Sequence, residues 1–210
     1  MDRLPLTPTE MKKLEAIVAA NPVLNNAFRL MCDGHILFEN ERYSSVVALA
    51  MLCLEEIGKH LLTIWTTKNP SFQYAKRAMH KMKQGAIASL FMADTVRREY
   101  LKQGVDFSDL GNPEKLAVLV QAIKTGVEKE NMFAGSAKAG VLQIVKHSGQ
   151  YYDEDLAAKG IKPSKIKMEH ADEFMRNCSR AFMVLTDDKA VAIAADFFSL
   201  IYKSKGGRSA

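Results

Sequence analysis

Apolar residues along this chain recur at helical rather than strand spacing, and the breaks between periodic stretches fall on start and stop signals. Thr7-Pro8-Thr9-Glu10 has the form of a capping box with proline at the first helical position, which predicts a helix from Pro8 to about Ala20. Asn21-Pro22 repeats the signal and opens a second helix that carries Leu24, Phe28, Met31 and His35 and ends near Glu39. A third helix begins near Arg42 and runs to about Lys68. Asn69-Pro70 stops it, because the residue before proline is pushed out of the helical region. Ser71 caps a fourth helix that reaches about Gln103, with Gly104 as its C-terminal stop. Residues 105–111 read as a loop, and Asn112-Pro113-Glu114 starts a fifth helix that extends through Val127 and breaks near Gly135 or Gly140. Residues 148–164, with Gly149, Gly160 and Pro163, read as irregular. Two more helices follow, about Met168 to Leu185 and Asp188 to Lys203, the last capped by Asp187 or Asp188. The pattern predicts an all-α fold in a single domain over residues 1–210: an up-and-down bundle of long antiparallel helices, elaborated at its C-terminus.

Composition narrows the setting. Lys and Arg total 29 against 24 Asp and Glu, a net charge of +5 that permits contact with nucleic acid or an acidic protein without demanding it. Cys32, Cys53 and Cys178 are odd in number and widely spaced, with no CxxC pair, and read as small core or surface thiols in a reducing compartment. Residues 1–8 lack the basic and apolar regions of a signal peptide. The longest apolar run, residues 46–54, is far short of the roughly 20 residues a membrane helix needs. A cytoplasmic location, with no membrane contact, is expected.

The candidate chemistry sits on the third helix. At about 100° per residue, Val47, Met51, Leu54, Gly58, Leu61 and Trp65 form one apolar stripe, while Leu49 and Leu52 lie on the opposite side near Glu56 and Lys59. A helix apolar nearly all round is usually buried. Glu55, Glu56 and Lys59 are then expected to be buried and paired, with Glu55–Lys59 at i,i+4 and Glu56–Lys59 at i,i+3 both geometrically available. The fourth helix opens with Lys76, Arg77, His80, Lys81 and Lys83. Lys76, His80 and Lys83 share a face, and a tight turn should bring that face against the acidic helix.

Glu-Glu-Ile-Gly-Lys at 55–59, His80-x-x-Lys83, and Lys146-His147-Ser148-Gly149-Gln150-Tyr151-Tyr152-Asp153 followed by Gly160 and Pro163 occur in an order and spacing that resemble the AbiV family of abortive-infection proteins, over roughly residues 22–175. The resemblance implies an HEPN-like helical bundle, a homodimer, and a phage-defence effector acting on RNA or translation. Many HEPN proteins are metal-independent ribonucleases in which the Arg and His of an Arg-x(4–6)-His motif line the dimer cleft. The His assists attack of the 2′-hydroxyl on the adjacent phosphate, and the Arg stabilises the charged transition state.

This chain departs from that motif. Arg29 and His35 have the spacing but lie on the second helix, ahead of the Glu-Glu-Ile-Gly-Lys segment. Arg176 and Arg180 lie late in the chain, but Ala181 stands where a histidine would be needed. The catalytic candidates are therefore His80, Arg77, Lys83, Lys59 and Glu56, with Glu55, Lys146, Tyr151 and Asp153 as a structural ion and hydrogen-bond network. For the acidic pair the bland reading is an ion network that fixes helix register; for His80 and Lys83 it is a solvated basic face. A di-iron centre needs Glu-x-x-His on two helices. Lys59 follows Glu56 where that histidine would be, so no metal or other cofactor is expected. Two functions stay open: an RNA-directed effector, and a non-catalytic helical dimer that binds a phage or host protein or a nucleotide.

Overall fold

The computed structural model describes residues 8–68, 79–102 and 165–203. Among these are six helices and no strand: α1 (Pro8–Ala20), α2 (Pro22–Glu39), α3 (Tyr43–Lys68), α4 (Met79–Lys102), α5 (Met168–Leu185) and α6 (Asp188–Lys203). The fold is all-α, as the periodicity predicts. The Thr7 cap, the Ser71 cap, the expected fifth helix and the irregular stretch 148–164 lie outside the described residues.

Local chemistry sets the helix ends. Asn21 is extended at φ −129° and ψ 110°, and its Oδ1 accepts from the Val23 and Leu24 amides at 3.0 and 3.1 Å. Such a cap is worth about 1 kcal/mol. The C-terminus of α2 closes with the Arg42 amide donating to Leu37 O and the Glu41 amide to Phe38 O, a Schellman pattern. It places Glu41 at φ 57°, a left-handed position that glycine usually fills. Asp187, rather than Asp188, caps α6: its Oδ1 accepts from the Lys189 and Ala190 amides at 3.1 and 3.2 Å.

α3 is the hub of the packing. Val46, Val47, Ala50, Met51, Cys53, Leu54, Ile57, Leu61, Leu62 and Trp65 are all buried, against α2, α4 and α5, with the Trp65 ring 5.3 Å from that of Phe198 on α6. Each fully buried Leu, Ile or Phe stabilises the fold by roughly 1.5–3 kcal/mol relative to exposure. Leu49, Leu52, Glu56 and Lys59 form the edge of α3 that meets solvent. α2 runs antiparallel to α5, with Gly34 against Met175, Met31 beside Ser179, and Phe28 edge-on to Phe182 at 5.7 Å. α1 buries Leu14 and Val18, and its Lys13 donates to Thr186 O and Asp188 across the α5–α6 turn. No described helix is long and apolar enough to cross a membrane.

Candidate functional site

The Glu55–Lys59 segment faces α4 across a very close crossing. A Cβ built on Gly58 would sit 2.2 Å from Lys83 O and 3.0 Å from Lys83 Cα. The absence of a side chain at Gly58 is what allows the α4 backbone to lie on α3. The approach also sets the depth of the charged groups on either side. Glu55, only 3% exposed, points into the crossing, with Oε2 2.9 Å from His80 Nδ1 and Oε1 accepting from Gln84 Nε2 at 3.0 Å. His80 and Gln84 are one turn apart on α4, so a single carboxylate bridges consecutive turns of its neighbour.

An ionised carboxylate only accepts hydrogen bonds, so His80 donates from Nδ1, and in a neutral ring the lone pair then lies on Nε2. The imidazole is 54% exposed. The result is a half-exposed histidine anchored from below by a buried acid. Gln84 Oε1 is buried with no hydrogen-bond partner.

The expectation for Lys59 and Glu56 needs correcting. Lys59 pairs with Glu56 at 3.6 Å, but the two side chains are 45% and 23% exposed. They stand on the solvent edge of α3, because the crossing at Gly58 turns Glu55, not Lys59, toward α4. Glu55 takes its proton donors from α4 instead of from Lys59. Lys83 is half-buried at the crossing and Lys81 is exposed. Arg77, Lys146, Tyr151 and Asp153 lie outside the described residues.

The other Arg and His candidates are elsewhere. Arg29 and His35 are exposed on α2, with Arg29 bound to Asp33 at 2.9 Å and to Asn26 at 3.1 Å. Arg176 makes a surface pair with Asp172. Arg180 is committed to packing: Nε donates to Asp94 at 2.8 Å, the guanidinium also bonds Thr95 Oγ1 and Phe91 O, and it lies 4.7 Å over the Phe91 ring. Asp94 also pairs with Arg98. Burial pushes the Asp94 carboxyl up, but the Arg98 and Arg180 guanidiniums outweigh it and hold the group below its ordinary range.

Besides ion pairs between helices such as Arg180–Asp94, sequence reasoning missed three further polar contacts. Gln84, one turn from His80, was legible as a face-sharing residue. Asp94–Arg98 carried an i,i+4 signal. The third, His60 on α3, has no local signature: its Nδ1 meets Asn21 Nδ2 at 3.1 Å, so the same asparagine that caps α2 also grips α3. Accepting that bond at Nδ1 requires a neutral ring, and burial holds the His60 pKa below 6.5. Cys53 and Cys178 are both buried, and burial together with Cys53 pushes the Cys178 thiol up.

Among known proteins, the family model described as HEPN_AbiV: AbiV matches residues 15–182. That span contains both the Glu55–Lys59 and His80–Lys83 segments. No curated protein and no solved structure matches the chain.

Proposed function

The chain belongs to the AbiV family of HEPN proteins, and from that premise we propose that it acts on RNA as a metal-independent endoribonuclease with His80 as the base. Abortive-infection phage defence is the role the family implies. The RNA target and the chemistry are our reading, and the observation that carries them is the 2.9 Å contact between the buried Glu55 carboxylate and His80 Nδ1.

In this reaction His80 Nε2 takes the proton from a ribose 2′-hydroxyl. The 2′-oxygen attacks the adjacent phosphorus, the bond to the 5′-oxygen breaks, and that oxygen takes up a proton from solvent. The products are a 2′,3′-cyclic phosphate and a 5′-hydroxyl. Lys83, on the same helix as His80, and Lys59, at the solvent edge of α3, are the candidates to offset charge building on the phosphoryl oxygens. Arg77, three residues before His80 in sequence, is the candidate for bidentate phosphate binding. Glu55 holds the ring in the working tautomer and touches no substrate, which makes it a positioning residue. The protein works in the cytoplasm as a homodimer.

A second reading has its own support. Gly58, Glu55 and Gln84 also suffice as a helix-register lock, and the late-helix Arg180 is held by Asp94. On that reading the chain is a non-catalytic dimer that binds a phage or host protein or a nucleotide.

Incubating the pure protein with total RNA, with and without EDTA, separates the two. Cleavage that survives EDTA and leaves cyclic phosphate ends is expected, with a loss of about 10²-fold or more in His80→Ala, the range of general acid–base catalysis. Circular dichroism would confirm that the variant folds. Full activity in His80→Ala removes His80 from the site. Loss of activity in His35→Ala instead would move the site to α2.

A further inference from the structure

Gln84 opens a continuous run of α4, residues 84–94, in which every residue is buried. It follows Lys83, whose backbone lies on Gly58, so the crossing carries the amide into the interior, where it is 2% exposed. Its Nε2 donates to Glu55 Oε1 at 3.0 Å, while its own Oε1 is buried with no hydrogen-bond partner. Turning the amide over does not relieve this. It would set a carbonyl oxygen against the ionised carboxylate, two acceptors facing each other. A buried acceptor left without a donor lowers stability, and an apolar side chain of the same shape avoids that loss. Packing alone would therefore not select glutamine at this position.

What the amide supplies is a second grip on Glu55. His80 Nδ1 meets one carboxylate oxygen at 2.9 Å, and Gln84 Nε2 meets the other at 3.0 Å. The terminal torsion of a glutamate is broad, so a carboxylate held through one oxygen can swing about its own axis. Bonds to both oxygens, from residues one turn apart on a single helix, fix the carboxylate plane and the aim of Oε2. We propose that Gln84 is a positioning residue for the reaction assigned to His80. It orients Glu55, which in turn sets the His80 ring, and the fold carries it at a cost in stability. This role rests on the endoribonuclease reading above and reaches one residue deeper into the crossing. At 2% exposure Gln84 touches no substrate.

Gln84→Met, made in the full chain, separates this role from a structural one. Methionine is unbranched, fills a similar volume and has no N–H to donate. A residue kept for stability would lower the melting temperature when lost. The expected result is a melting temperature at or above that of wild type, because the unpartnered Oε1 leaves with the amide. Long-range proton–nitrogen correlation spectra, recorded where the imidazole is neutral, report which His80 nitrogen holds the proton, and His80→Ala identifies its signals. The wild-type proton is expected on Nδ1. In Gln84→Met the signals should move toward a mixture of the two tautomers as Glu55 Oε2 swings away. RNA cleavage should fall by up to about 10²-fold, the loss that follows from misplacing a catalytic group by about 1 Å. An unchanged His80 tautomer in Gln84→Met, or melting well below wild type, overturns the proposal and leaves the endoribonuclease reading standing. Wild-type protein that leaves RNA intact removes that reading, and the His80 tautomer then still decides whether Gln84 sets the ring.

Discussion

A carboxylate in contact with Nδ1 of an imidazole dictates which ring nitrogen holds the proton, and Glu55 imposes that choice on His80. Glu55→Gln would reverse it. The new amide oxygen would still accept from Gln84, but its NH2 group would face Nδ1 and move the ring proton to Nε2, removing the free lone pair. The expected outcome is RNA cleavage reduced by about 10²-fold or more, with a melting temperature close to wild type; retained activity would show that the tautomer is not what Glu55 contributes. Lys59→Met makes the contrasting case. Deep burial would have made its loss cost roughly 3–5 kcal/mol. The Lys59–Glu56 pair instead stands at the solvent edge, so the change should alter stability by under about 1 kcal/mol in a urea titration. The sequence put Glu55 and His80 on facing helices, and the two meet across the α3–α4 crossing, where the Lys83 backbone lies on Gly58. It did not reveal which of two adjacent glutamates turns inward. One residue of helix is 100° of rotation, and that phase is set by packing, not by local spacing.

The α3–α4 pair depends on the absence of one methyl group. Gly58→Ala would drive a Cβ into the backbone of Lys83, which has no rotamer by which to yield. Overpacking a core costs typically 1–3 kcal/mol, and the upper end applies here because the obstacle is main chain. The denaturation midpoint should fall accordingly, and activity with it, because parting the helices lengthens the Glu55–His80 contact. An unchanged midpoint would mean the crossing is looser than it stands in this structure. Helix boundaries were the most legible feature of the chain. The starts and stops of α1, α2, α5 and α6 match the expected residues because caps such as Asn21 and Asp187 act within three or four residues of themselves. Arg180–Asp94 and Asn21–His60 were illegible for the opposite reason. Their partners are 86 and 39 residues apart in sequence, and only the assembled bundle brings them together.

A half-buried histidine and a buried aspartate give the whole molecule a predictable response to acid. His60 is neutral in the fold, with its pKa held below 6.5 by burial, whereas the unfolded chain binds a proton there near pH 6.5. Its contribution to stability is present above that value and declines as pH falls below it. Asp94 is held below 3.8, so its contribution is present above the unfolded carboxyl value and is lost as pH falls through the depressed one. Melting temperatures measured from pH 7.5 downward should therefore decline first near pH 6.5 and again below about pH 4. His60→Gln should abolish the first decline only; persistence of that decline in the variant would place its origin elsewhere. The central position of α3 has a further consequence, in the order of synthesis. Its partners include Cys178, 128 residues beyond Ala50, and Phe198 at the far end of the described chain. At roughly 5–20 residues per second, a ribosome that has finished α3 needs on the order of ten seconds more to deliver α5 and α6. Throughout that interval α3 lacks its C-terminal cover. α3 therefore completes its packing only after α5 and α6 have been delivered.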